Sequence, residues 1–77
     1  MERLKEFRKE KHMTQEGMAE KIGITLSMYE KVERGVVSAS AAFMRRMKEA
    51  FPDVDINFIF FNENSNNSAV NGKAEAV

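Results

Sequence analysis

TQEGMAEKIGITLSMYEKVERG, residues 14–35, is the stretch whose reading decides the fold. It divides at Gly23 into two short amphipathic segments. In the first, Thr14 stands where a hydroxyl can accept from free backbone N–H groups, and Met18, Ala19 and Ile22 follow as an apolar stripe, so the spacing predicts a helix over roughly 15–22. Gly23 comes directly after Ile22, where a helix must stop in a left-handed turn, and Ile24 supplies an apolar anchor behind it. Thr25 is a second N-cap candidate. A helix over about 26–34 follows, with Tyr29 and Val32 on its inner side and Gly35 closing it.

Outward from this core the pattern stays helical. Residues 2–11 carry Leu4 and Phe7 on one face among charges, which predicts a first helix ending about His12. Val36 to Ala39 form a connection, Ser40 is the next cap, and Ala41 to Phe51 reads as a fourth helix with Phe43 or Met44, Met47 and Phe51 directed inward. Pro52-Asp53 breaks the pattern, and Asp55 caps a last short helix over about 56–61. No internal repeat is visible, and the only strand-like alternation is the ambiguous Ile56 to Phe60. The composition then changes abruptly: NENSNNSAVNGKAEAV, residues 62–77, reads as a flexible, solvated tail. The expected architecture is all-α, a compact five-helix domain over 1–61 followed by that tail.

The bulk composition removes several classes of function. Seventy-seven residues make one domain of modest stability. With no cysteine and a single histidine, neither a thiolate metal site nor an imidazole cluster is available, so no metal and no cofactor are expected. No apolar run approaches the length of a membrane span, and the opening Met1-Glu2-Arg3-Leu4-Lys5 lacks a leader's apolar stretch, so a cytoplasmic location is expected. An enzyme is not expected: there is no His-carboxylate constellation and no glycine-rich phosphate loop. The twelve cations balance the twelve acids, yet residues 1–50 carry eleven Lys/Arg against eight Asp/Glu, and residues 51–77 one Lys against four acids. The front is mildly basic and the back mildly acidic.

Two helices joined by a tight glycine turn sit at a steep angle, which lets the second be offered to a major groove while the first crosses the backbone. At these residues the chain resembles the phage repressor and Cro-like helix-turn-helix family, also called the xenobiotic response element family. The resemblance is carried by Leu4 to Lys11, Met13 to Glu16, Met18 to Thr25 and Tyr29 to Gly35, and it extends to Phe51-Pro52-Asp53-Val54 and Asn57-Phe58, covering about residues 1–61.

The resemblance implies a set of roles. Gln15, opening helix 2, bonds a DNA phosphate. The base-reading face is Thr25, Leu26, Ser27 and Met28 with Lys31 one turn on; Lys31 is the strongest candidate, because an ammonium reaches guanine acceptors or a phosphate. Arg34 and the 36–38 loop lie along the DNA backbone. Arg8 and Glu33 match a pair that forms an internal salt bridge in the family. The sequence also departs from the family pattern. Leu26 and Met28 replace polar or basic residues, Val36-Val37 replaces a connection usually carrying Lys or Arg, His12 stands for a usual Gly, Gly17 for a usual Glu, and Ala39 for a common Pro. Leu26 can instead touch a thymine methyl.

Most other apolar positions, Leu4, Phe7, Met18, Ile22, Ile24, Tyr29, Val32, Met44 and Met47, read as core. The last helix is apolar on more than one side: with Ile56, Ile59 and Phe60 inward, Phe58 and Phe61 are left outside as a partner surface. A twofold dimer joined there places two reading helices about 34 Å apart on a palindromic operator. The leading expectation is sequence-specific binding of double-stranded DNA by a homodimeric transcriptional regulator, most simply a repressor. The alternative is a protein-interaction module of the same fold with weak DNA affinity, anti-repressor or antitoxin-like, which Leu26, Met28, Val36, Val37 and the zero net charge favour.

Overall fold

A computed structural model describes residues 1–61; the expected tail, residues 62–77, lies outside them. The described chain runs through α1 (Glu2–Glu10), α2 (Gln15–Ile22), α3 (Leu26–Glu33), α4 (Ala41–Ala50) and α5 (Ile56–Phe60), with no strand among the described residues. Each boundary has a local cause. Thr14 Oγ1 accepts from the Gly17 N–H at 2.9 Å and Thr25 Oγ1 from the Met28 N–H at 3.1 Å. Ser40 Oγ and Asp55 Oδ1 accept from the N–H groups of Phe43 and Phe58, each at 3.0 Å. Each cap satisfies a donor that the first turn leaves without a partner.

The helix ends repeat one device. Gly23 has φ 79°, and the Ile24 N–H reaches back to Ala19 O at 3.0 Å. Gly35 has φ 81°, and the Val36 N–H reaches Lys31 O at 2.9 Å. After α1 the same left-handed position falls on His12, φ 59°, with the Met13 N–H bonded to Arg8 O at 3.2 Å. A side chain there is strained, since the left-handed backbone costs a non-glycine residue about 1–2 kcal/mol. His12→Gly is therefore expected to stabilise the domain by about 0.5–1 kcal/mol after glycine's own entropic cost. A urea denaturation midpoint that stays put or falls contradicts the strain.

α2 packs on α3 and α4, while α1 packs on α5 and α3. The core between them consists of Leu4, Met18, Ala19, Ile22, Tyr29, Val32, Phe43, Met47, Phe51, Val54 and Ile59. Aromatic rings join its layers: Tyr29 stacks on Phe43 at 6.1 Å, Phe43 meets Phe60 edge-on at 6.1 Å, and Phe7 meets Phe51 edge-on at 5.2 Å. Phe43, not Met44, fills the inward position of α4; Met44 is half-buried, as are Phe7 and Ile24. Val54, after the Pro52 turn, is a buried core residue as well. α2 ends at Ile22 as the spacing suggested, and the other four helices end a residue or two earlier, because Lys11, Arg34, Phe51 and Phe61 already serve as C-caps.

Candidate nucleic-acid interface

The two helices that resemble a DNA-reading unit are held by a cluster around one buried carboxylate. Glu33, on the last turn of α3, is only 6% exposed, unusual for an acid and tolerable only when it is fully partnered. Arg8 of α1 grips it bidentately, Nε to Oε2 at 2.9 Å and Nη2 to Oε1 at 3.2 Å. The Tyr29 hydroxyl donates to Oε2 at 2.7 Å, and Gln15 Nε2 of α2 donates to Oε1 at 2.8 Å. Arg8 Nη1 also donates to Met13 O at 3.0 Å, fastening the loop between α1 and α2. One carboxylate thus ties together three helices and fixes the angle at which α3 leaves α2.

Burial drives the Glu33 carboxyl upward, but the hydrogen bonds from Arg8, Tyr29 and Gln15 outweigh it and hold the group below the ordinary carboxylate value. Burial, then the bond to Glu33, pushes the Tyr29 phenol well above its usual value. The bond to Glu33 raises the Arg8 guanidinium further against the opposing effect of burial. The cluster is consequently ionised as Arg8⁺–Glu33⁻ with a neutral Tyr29 throughout the physiological range.

With Tyr29, Val32 and Glu33 directed inward, the opposite side of α3 faces solvent. Thr25, Leu26, Ser27, Met28, Lys31 and Arg34 are all exposed. At about 100° per residue, Ser27 and Lys31 form the middle of that face, Leu26 lies on one shoulder and Met28 on the other. Among the described residues the Lys31 ammonium has no ion-pair partner. The Thr25 hydroxyl oxygen accepts the Met28 N–H in its cap bond and keeps its own O–H to donate. Gln15, expected at a phosphate, is half-buried and spends one N–H on Glu33, leaving its second N–H for another acceptor. Arg46 of α4 reaches the turn between the two helices, its Nη1 donating to Gly23 O at 3.4 Å.

The model of the Cro/C1-type helix-turn-helix family matches residues 4–59. The chain belongs to that family. It is a domain of the DNA-binding transcription-regulator type, and α2 and α3 are the two helices of its helix-turn-helix, with double-stranded DNA as the partner class. No curated protein and no solved structure matches the chain significantly. No helix of the described residues is long and apolar enough to cross a membrane, and none of their His, Cys, Asp and Glu side chains form a group of three that could hold a metal ion.

On the far side of this helix-turn-helix domain, α5 leaves Phe58 46% and Phe61 57% exposed, with Ile59 buried and Ile56 and Phe60 half-buried. Phe58 is not bare. The Arg3 guanidinium lies 4.1 Å from its ring centroid and donates to its carbonyl at 3.0 Å. Neither this contact nor the bond from Gln15 to Glu33 was visible in the sequence, because the partners stand 55 and 18 residues apart along the chain; Tyr29 lies one turn from Glu33, but that spacing alone does not show that both face inward.

Proposed function

We propose that this chain is a sequence-specific regulator that binds double-stranded DNA as a homodimer in the cytoplasm and represses by occluding a promoter. The observation that carries the reading is the outward first turn of α3: Thr25, Leu26, Ser27 and Met28 face solvent while Tyr29, Val32 and Glu33 lock the helix from behind. Lys31 and Ser27 supply donors for base edges, and Lys31 takes guanine N7/O6. Gln15 with its remaining N–H, and Arg34 beside the 36–38 loop, take phosphates, which position the domain without reading sequence.

The dimer is supported by the exposed aromatic pair Phe58 and Phe61 on α5, a surface that a second copy would cover. Two-fold pairing there gives a palindromic operator with half-sites about 34 Å apart. Phe58→Glu is expected to shift the monomer–dimer midpoint to at least about tenfold higher concentration, the equivalent of ~1.4 kcal/mol. Sedimentation showing an unaltered oligomer removes this surface from the proposal.

Selection of bound duplexes from a random pool tests DNA reading and half-site spacing together; enrichment of a two-part palindrome is the expected result, and an unenriched pool contradicts it. A second reading, an interaction module that keeps the fold with little DNA affinity, is favoured by the exposed Leu26, Met28, Val36 and Val37 and by the zero net charge. Salt separates the two. A DNA reader loses affinity steeply as salt rises, whereas an interaction module binds duplex weakly at every salt concentration.

A further inference from the structure

We infer that Leu26 is a specificity-determining residue of the reading helix, a detector of the 5-methyl group on a pyrimidine, so that each half-site is specified in part by a thymine and 5-methylcytosine is preferred over cytosine at the same position. The inference rests on the DNA-binding reading above and deepens it.

The exposed face of α3 is poor in hydrogen-bonding groups. Of its first turn, the Thr25 hydroxyl oxygen already accepts the Met28 N–H, leaving its O–H as one short donor, and Leu26 and Met28 carry no strong hydrogen-bonding atom. Ser27 and Lys31 are left as the polar middle strip, between two apolar shoulders. Lys31 donates and has no acceptor, so the base-edge code available to this face is sparse. Such a surface cannot read adenine bidentately as an amide does. What it can do is pair a donor on a purine acceptor with an apolar contact beside it.

The two shoulders are not equivalent. Met28 lines a groove of this domain with Ile24, Val32, Val37 and Phe43, so its side chain has neighbours within the fold. Leu26, at the first position of α3 and 38% exposed, belongs to neither the core nor the half-buried shell packed around it. A first-turn side chain is the one a recognition helix brings nearest the base edges. In a B-form major groove the apolar feature on a base edge is the group at pyrimidine C5, a methyl in thymine and a hydrogen in cytosine. The branched end of Leu26 fits that methyl, and because it makes no hydrogen bond to the exocyclic group at C4, it accepts the same methyl on cytosine.

The test uses the duplex enriched from a random pool, with each thymine replaced singly by deoxyuridine, which removes the methyl and leaves every hydrogen-bonding group in place. One thymine per half-site is expected to lose about fourfold in affinity, the effect of burying one such carbon. Leu26→Ala is expected to bind the thymine and deoxyuridine duplexes equally, and Leu26→Val to retain part of the difference. Placing cytosine and then 5-methylcytosine at that position is expected to show tighter binding of the methylated form by the parent and no preference by Leu26→Ala. Since Leu26 is exposed, an unchanged thermal unfolding midpoint identifies the variants as folded. A flat deoxyuridine scan on an enriched duplex overturns the role of Leu26 and leaves DNA reading standing. A difference that persists in Leu26→Ala also overturns it and assigns the methyl to another side chain. Failure to enrich any duplex overturns both readings.

Discussion

Arg8→Ala is expected to destabilise the domain by about 3 kcal/mol, the low end for breaking a buried ion pair because Arg8 keeps some contact with solvent. The loss is large because Glu33 stays behind. Its carboxylate, 5% exposed, keeps Tyr29 and Gln15 as donors but loses the guanidinium charge that offsets its burial. The Arg8 bond to Met13 O goes with it, loosening the loop into α2. Against a total stability of about 5–10 kcal/mol for a domain this small, urea denaturation should show a clearly lower midpoint. Adding Glu33→Gln to Arg8→Ala should cost less than the two single changes summed, since it removes the stranded charge.

The same cluster fixes a pH dependence. Glu33 titrates below its unfolded value of about 4.3, so its contribution is fully present above that pH and is lost as pH falls through the lower folded value. Tyr29 titrates above its unfolded value of about 10, so its contribution is present below pH 10 and lost as pH rises beyond it. The gap in stability between the parent and Arg8→Ala should therefore narrow as pH falls through the lowered folded value of Glu33, where protonation removes the ion pair from the parent too. A gap that stays constant from pH 7 down to acid unfolding contradicts the ionic character of the cluster.

Lys31→Ala is expected to weaken specific binding roughly ten- to hundredfold, about 1–3 kcal/mol, and to relax the base preference at one position of the half-site. Lys31 stands in the middle of the exposed face of α3 with no ion-pair partner among the described residues, so its removal changes the contact with DNA and leaves the fold alone. Gln15→Ala offers the contrast: as a phosphate contact it should weaken all sequences about equally. Competition binding against a panel of single-base operator variants separates the two patterns. Uniform weakening by Lys31→Ala places its ammonium on the backbone, and parent-like binding by both variants removes this face from the interface.

How far the sequence disclosed these features follows the range of the interactions involved. The caps at Thr14, Thr25, Ser40 and Asp55, and the glycine stops at 23 and 35, were legible because each is settled within a few residues. The choice between Phe43 and Met44 was not, since adjacent positions differ by only 100° around a helix and both are large and apolar. Gly17 likewise had no visible reason. In the structure a Cβ there would come within 3.2 Å of Thr14 Oγ1, the oxygen that caps this very residue's N–H. The candidate site shows the same division. That α3 exposes Leu26 and Met28 follows only once Tyr29 and Val32 are known to face inward. That it buries Glu33 among Arg8, Gln15 and Tyr29 depends on contacts spanning up to 25 residues, which the family resemblance indicated for Arg8 alone.

The most direct measurement is a backbone amide chemical-shift map of the intact chain, titrated with a duplex enriched from a random pool. The largest shifts should cluster at Thr25, Leu26, Ser27 and Lys31, with a second group at Gln15 and Arg34 that also responds to unrelated duplex. Shifts confined to α1 and α5, with the opening turn of α3 unmoved, would show that another face meets the nucleic acid.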